Sequence, residues 1–208
     1  LVEELRAVVA TKQGFDFGKD IIPGMVGRRT LLCYPFEGYW RDVGTLSSYL
    51  DANMDCLDPS SGLDLPSWNI CTGPDEKGLG DRPPVRFGPR AAVSNALVAR
   101  GCVIEGSVTE SVIFPGVHVG PGACIRRSVV MQDCVLGSEC SVEETILDKA
   151  AVIGQGAIIG HGDAAIANRK FPTHLDTGIT VIGKQAVIPP RAVIGTNCLV
   201  YPGLDLVH

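Results

Sequence analysis

From Ile182 to Val200 the chain advances in steps of six, with Ile182, Ile188, Ile194 and Val200 evenly spaced. Four places after the first three stand Ala186, Ala192 and Cys198, all small. A period of six matches neither the 3.6 of an amphipathic helix nor the 2.0 of a simple strand. It matches a prism of short parallel strands in which each hexapeptide makes one side and the turn to the next. The branched aliphatic points inward and the small residue fits the narrow corner. Coils stacked at about the usual 4.8 Å strand spacing then place identical positions in inward ladders. The spacing predicts a parallel β-helix of hexapeptide repeats. Upstream the same beat runs through Val98, Ile104, Ile113, Val119, Ile125 and Met131, slips by one residue to Leu136 and Val142, and resumes at Ile153 and Ile159. Residues 161–178 break it, with charges and Pro172, and are expected to protrude as a loop.

The chain before this rhythm is of another kind. Residues 1–13 read as a helix with Val2, Leu5, Val8 and Val9 on one stripe. There is no initiator Met, and the chain is expected to be cut from something longer. Residues 14–20 read as a loop. A short helix follows with Ile21, Ile22, Met25 and Val26, where Pro23 is tolerated only near the first turn. Residues 28–36 (RRTLLCYPF) read as a strand. Thr45 is a plausible N-cap for a helix carrying Leu46, Tyr49, Leu50, Asn53, Met54 and Leu57. From Asp58 to Arg90 six prolines forbid a helix and predict an extended surface connector. The expected organisation is an α/β remnant at 1–57, a proline-rich connector at 58–90 and the β-helix at 91–208.

Composition narrows the function. With 25 glycines and 14 prolines among 208 residues, the chain suits a turn-rich solenoid. A net charge of −5 gives no support to a nucleic-acid partner. No apolar run approaches the roughly 18 residues of a membrane span, and no secretory leader is visible. Of eight cysteines none form CxxC; Cys102, Cys124, Cys134, Cys140 and Cys198 lie within the repeats as small apolar residues. Zinc is the weaker reading of these residues, and free thiols point to a reducing cytoplasm.

The best chemical candidate is Tyr39-Trp40-Arg41-Asp42-Val43-Gly44-Thr45. A carboxylate beside an aromatic and ahead of a helix start can hold Mg2+, which takes one or two carboxylates plus phosphate oxygens. A single Asp in that place also reads as a helix cap, and the residues alone leave both open.

The YWRDVGT string, the upstream Asp16-Phe17-Gly18-Lys19-Asp20-Ile21-Ile22-Pro23 and the hexapeptide tail together resemble the bacterial glucose-1-phosphate adenylyltransferases (ADP-glucose pyrophosphorylases) in the same order along essentially the whole chain. The resemblance implies a mainly β chain: the C-terminal remnant of a Rossmann-like nucleotidyltransferase domain joined to a left-handed parallel β-helix, assembled as a homotetramer. It implies a reaction between ATP and glucose 1-phosphate giving ADP-glucose and pyrophosphate, in glycogen synthesis. It places Asp42 at the Mg2+-binding and catalytic aspartate, and Asp16, Phe17 and Trp40 around the glucose-1-phosphate pocket. Lys149, in the ILDK segment, and Lys184 fall near the family's pocket for anionic metabolite effectors; two solvated surface lysines are the ordinary alternative. The family's glycine-rich ATP loop, its first metal-binding aspartate and its lysine-bearing sugar-phosphate segment have no counterpart in these 208 residues, so this piece alone is expected to be inactive.

Two other readings stay in view. Residues 178–184 (GITVIGK) spell the start of a phosphate-binding loop, but Gln185 stands where Ser or Thr is required and hexapeptides follow instead of a helix. Hexapeptide prisms also serve acyltransferases that use coenzyme A and set a histidine between trimer subunits as general base; His161 is the residue for that role. A non-catalytic β-helix that mediates subunit contact is the third reading.

Overall fold

The computed structural model describes residues 1–11, 16–69 and 82–206. The chain divides into two compact units, Leu1–Gly38 and Tyr39–His208.

In the first unit α1 (Val2–Thr11) carries Glu3 and Glu4 in its first turn, where unpaired backbone N–H groups favour negative charge. Arg28 reaches Glu4 at 3.2 Å, and Arg29 reaches Glu4 at 3.0 Å and Glu3 at 3.1 Å. Asp16 Oδ1 accepts from the backbone amides of Gly18 and Lys19, both at 2.8 Å. That cap starts a π-helical turn, Phe17–Ile21, which leads into α2 (Ile22–Met25) with Pro23 in its first turn. The loop expected over 14–20 is therefore ordered as a turn from Phe17 onward; residues 12–15 lie outside the described residues. The strand expected at 28–36 is absent. Leu32 and Tyr34 stay 92% and 86% exposed, and among the described residues no neighbouring strand accepts the segment's hydrogen bonds. Without a ladder partner an aliphatic run has no reason to become a strand.

In the second unit Thr45 starts α3 (Leu46–Asp55) through a reciprocal cap: Thr45 Oγ1 accepts from Ser48 N at 3.1 Å and Ser48 Oγ accepts from Thr45 N at 3.0 Å. From Arg86 the chain winds as a parallel β-solenoid of about seven turns. On one side Arg86, Val103, His118, Val135, Val152 and Val187 stand in register, with Asp205 bridged to the last. Residues 86–87, read as connector, thus already belong to the first rung. The inward ladder on this side is Ile104, Val119, Leu136, Ile153 and Ile188, all buried. The second side stacks Val108, Ile125, Val142, Ile159 and Ile194. The third stacks Ile113, Val130, Leu147, Ile182 and Val200. Met131, expected inward, is displaced by Val130 and packs on the outside of the third side.

The corners explain the sequence between the aliphatics. Cys102, Cys134, Ala151 and Ala186 fill one corner and Ala123, Cys140 and Ala157 another, all buried. Left-handed residues turn the chain outside them: Asn95, Glu110, Arg127 and Glu144 in one column, Asp133, Ala150 and Gln185 in a second, Glu139 and Arg191 in a third. Gly137 is required for clearance, since a Cβ there would lie 2.7 Å from the amide nitrogen of Gln155 in the next coil. Behind the first column runs a ladder of buried hydroxyls, Ser111, Ser128, Thr145 and Thr180. Ser128 N donates to Ser111 Oγ and Thr145 N to Ser128 Oγ, each at 3.1 Å. Each hydroxyl in turn donates to a main-chain carbonyl, for example Ser128 to Arg126 O at 2.8 Å. This bend is thus satisfied from inside by side chains.

Helix α3 covers the outer surface of the third side. Leu50, 1% exposed, packs with Val129, Ile146 and Ile179. Residues 161–178 leave the ladder as expected but do not swing free. The amide of buried Asn197 donates to Ala164 O at 3.0 Å and Ile166 O at 2.8 Å, and its Oδ1 accepts from Gly178 N at 2.7 Å. Leu175 and Ile179 are buried beside this clasp. Among the described residues no helix is long and apolar enough to cross a membrane.

Candidate functional site

The segment Tyr39–Thr45 presents its side chains in two sets. Tyr39 and Arg41 turn to α3: the Tyr39 hydroxyl donates to Asp55 Oδ2 at 2.6 Å, and Arg41 Nε lies 2.7 Å from the same oxygen. Arg41 Nη1 stands 3.6 Å from Asp51, one turn earlier on the helix. The Tyr39 ring meets Trp68 edge-on, with centroids 6.2 Å apart. Burial, and then the Asp55 carboxylate, push the Tyr39 phenol up, which keeps it a hydrogen-bond donor. Trp40 and Asp42 form the other set. Trp40 is 76% exposed, and Asp42 is exposed with no hydrogen-bond or ion-pair partner among the described residues. The helix cap that the sequence allowed for Asp42 is taken by Thr45. That leaves the carboxylate unengaged.

No group of three or more His, Cys, Asp or Glu side chains suited to a metal is found among the described residues. The single free carboxylate of Asp42 is still the kind of ligand a hard divalent cation takes when water and phosphate oxygens complete its shell. In the first unit, Phe17 is half exposed, and Asp16 Oδ1 is held by the turn it caps.

Lys149 and Lys184, far apart in sequence, occupy the same corner of successive coils, where Gln185 N donates to Lys149 O at 2.9 Å. Neither forms an ion pair among the described residues. His161 Nε2 lies 2.9 Å from Ser141 Oγ, and its Nδ1 lies 3.5 Å from Glu143 on the outer surface of the second side. The phosphate-loop look-alike is a strand of the third side, residues 180–182, with no helix after it.

A cleft of about 420 Å³ lies next to the Tyr39–Thr45 segment. Val43, Thr45 and Tyr49 line one wall, and Thr173, His174 and Asp176 the other. An apolar recess of about 400 Å³ adjoins it, floored by Leu46, Phe171, Leu175 and Leu199. Sequence reasoning did not find this cleft, because its walls are at least 124 residues apart (Tyr49 to Thr173) and one belongs to the segment that breaks the repeat.

Two family models match the chain. Residues 1–59 match a family model described as nucleotidyl transferase, and residues 85–182 match one described as GlmU-like, C-terminal hexapeptide. The chain is 41% identical over 190 residues to a glucose-1-phosphate adenylyltransferase of Acetivibrio thermocellus, covering 90% of this chain and 43% of that protein. It is 42% identical to the enzyme of the same name from Thermomicrobium roseum over the same shares. With the one from Halalkalibacterium halodurans it is 43% identical over 151 residues, or 71% of this chain and 38% of the other. The chain therefore spans less than half the length of these relatives. Along nine-tenths of its own length it is similar to the glucose-1-phosphate adenylyltransferases.

Proposed function

We propose that this chain is the C-terminal portion of an enzyme that transfers the adenylyl group of ATP to glucose 1-phosphate, giving ADP-glucose and pyrophosphate. The homology to enzymes of that name carries the reading, and the free Trp40–Asp42 surface supports it. Residues 1–57 are the end of the nucleotidyltransferase domain, 58–85 the connector, and the β-helix runs from Arg86 onward. In the reaction a phosphate oxygen of glucose 1-phosphate attacks the α-phosphorus of ATP. A new P–O bond forms as the bond to the β-phosphate breaks, and pyrophosphate leaves. Mg2+, when bound, offsets the repulsion between the two anionic substrates. Asp42 is the residue here that holds it. Trp40 is an aromatic wall for the apolar ring face of the sugar; the resemblance gives Phe17 and Asp16 of the first unit sugar-contact roles of their own, Asp16 as an acceptor for hydroxyls.

Lys149 and Lys184, at one corner of successive coils and without an ion-pair partner among the described residues, support an anionic metabolite effector there. The parent is a homo-oligomer, a tetramer as the resemblance implies, and works in the cytoplasm. Pyrophosphate release from ATP, glucose 1-phosphate and Mg2+ tests the reading. The full-length protein turns over, and Asp42→Asn lowers its rate by about 100-fold, for a loss on the order of 3 kcal/mol of transition-state stabilisation. The 208-residue chain by itself shows no turnover. A full-length protein inert towards these substrates would overturn the proposal.

A further inference from the structure

We propose that Arg41 is the positioning residue of the Trp40–Asp42 surface and that the solenoid holds Arg41 in place through Asp51 and Arg127. The inference rests on the function proposed above. Among the described residues Trp40 and Asp42 have no hydrogen-bond or ion-pair partner of their own, so their orientation comes from the residues on either side. Tyr39 and Arg41 both end on Asp55 Oδ2, at 2.6 and 2.7 Å. One carboxylate thus binds the side chains immediately before and after Trp40. Arg41 then reaches Asp51 at 3.6 Å, and Asp51 meets Arg127 of the solenoid at 3.4 Å. Arg127 is itself held by Glu144 of the next coil at 2.7 Å. A chain of alternating charges, Glu144–Arg127–Asp51–Arg41–Asp55, therefore links a solenoid corner to the candidate metal ligand.

Three features separate this from ordinary surface pairing, which contributes little. The pairs form a continuous network. The Asp55 side chain is only 18% exposed. The helix that carries both aspartates is seated by Leu50 in an apolar cluster, so the network is anchored to a rigid base. The planar guanidinium of Arg41 engages two carboxylates at once, which an ammonium on a flexible stem reproduces poorly. Because Arg127 and Glu144 are left-handed corner residues of adjacent coils, a shift of one coil against the next alters the Arg127–Asp51 contact and so the loop. The arrangement is a route by which events on the solenoid reach the reaction without a ligand touching the substrate.

The test uses the full-length protein carrying this chain, with Arg41→Lys, Asp55→Asn and Arg127→Gln. Arg126→Gln is the control, since Arg126 pairs with Glu143 at the same corner and, among the described residues, no hydrogen bond or ion pair joins it to α3. A misplaced catalytic group costs up to about 100-fold in rate. We expect Arg41→Lys and Asp55→Asn to lower kcat by about 10- to 100-fold and to raise the Mg2+ concentration needed for half-maximal rate, with KM for both substrates little changed. Arg127→Gln gives a smaller loss that is not additive with Arg41→Lys, and Arg126→Gln behaves as wild type. A second readout needs no activity: Trp40 fluorescence anisotropy in a Trp68→Phe background falls in the three variants and not in the control. Asp51→Asn repeats the test should Arg41→Lys fail to fold. Unchanged kcat, or unchanged Trp40 anisotropy, in folded Arg41→Lys and Asp55→Asn overturns the proposal. If the wild-type full-length protein does not use ATP and glucose 1-phosphate, the functional reading fails, while the anisotropy still decides the positioning.

Discussion

Replacing Ser128 with alanine removes one hydroxyl from the middle of the ladder buried at one corner of the solenoid. Ser128 Oγ accepts the Thr145 amide at 3.1 Å and donates to the Arg126 carbonyl at 2.8 Å. The carbonyl keeps a second donor, Glu144 N at 3.3 Å, so its loss is small. The Thr145 amide is stranded in a buried position, which costs about 1–3 kcal/mol. At 25 °C that is a factor of about 5 to 150. Because a solenoid opens locally, coil by coil, a global melting curve dilutes the effect. Native-state hydrogen exchange at the Thr145 amide reads it directly: protection falls by that factor in Ser128→Ala, while rungs three coils away exchange as before. Ser128→Thr keeps the hydroxyl, as Thr145 and Thr180 do in the coils that follow, and preserves the protection. If Ser128→Ala leaves Thr145 unchanged, or Ser128→Thr loses as much as Ala, the hydroxyl ladder does not hold the corner.

The cysteines test the core. Burial pushes the Cys134 thiol up to about 12 and Cys140 up to about 11, so at pH 8 only about one Cys134 in 10⁴ is the reactive thiolate. Peptide mapping after alkylation of the native protein should find Cys33 and Cys124, both exposed, modified, and Cys102, Cys134 and Cys140 intact until denaturant is added. Native modification of Cys134 contradicts the packed prism. In the first unit, the hydrogen bond from Arg29, aided by the Arg28 and Arg29 charges, holds Glu4 below its ordinary 4.5. A carboxylate held low stabilises the folded form above 4.5 and loses that contribution as the pH falls through its lowered value. The protection factors of the α1 amides, measured against intrinsic exchange, should therefore fall below about pH 4.5; protection factors that stay constant there would show that the Arg28–Arg29 contacts do not hold α1.

The solenoid was legible because every coil repeats one steric demand. Ile182, Ile188 and Ile194 announce it, and the small residues four places on repeat it. The beat of six steps over the ladder positions Val108 and Leu147 and lands on Met131 instead of Val130. At Leu147 and Val130 a doublet of aliphatics hides which member points inward, whereas Val108 stands alone between Ser107 and Thr109. The doublets do not mark the side that α3 covers: Val129–Val130 and Ile146–Leu147 are buried throughout, while Val135–Leu136, Val152–Ile153 and Ile158–Ile159 look the same in sequence and leave the first member exposed. The buried Ser111, Ser128 and Thr145 could not be told from surface hydroxyls by their chemistry, although their spacing of seventeen, one full coil, was there to be counted. At the candidate site, Tyr39–Thr45 was found by its unusual residues. The partners that hold it were not: Asp51, Asp55 and Arg127 are unremarked charges whose meaning comes only from tertiary proximity. The misread strand at 28–36 failed for a different reason. Its residues favour extended pairing, and among the described residues no strand is there to pair with.

One last consequence follows from the clasp around Asn197. Val142 and Thr145 are three residues apart at their corner, whereas their counterparts one coil on, Ile159 and Thr180, are twenty-one apart, and yet Val142 still registers on Ile159 and Thr145 on Thr180. Bends of this trunk are therefore graft points. New sequence can be spliced between two rungs without moving either, provided one polar side chain on the following coil ties the graft down. In this chain the graft has become a wall of a cleft, so new chemistry can be added to the scaffold while its repeating interior stays as it was.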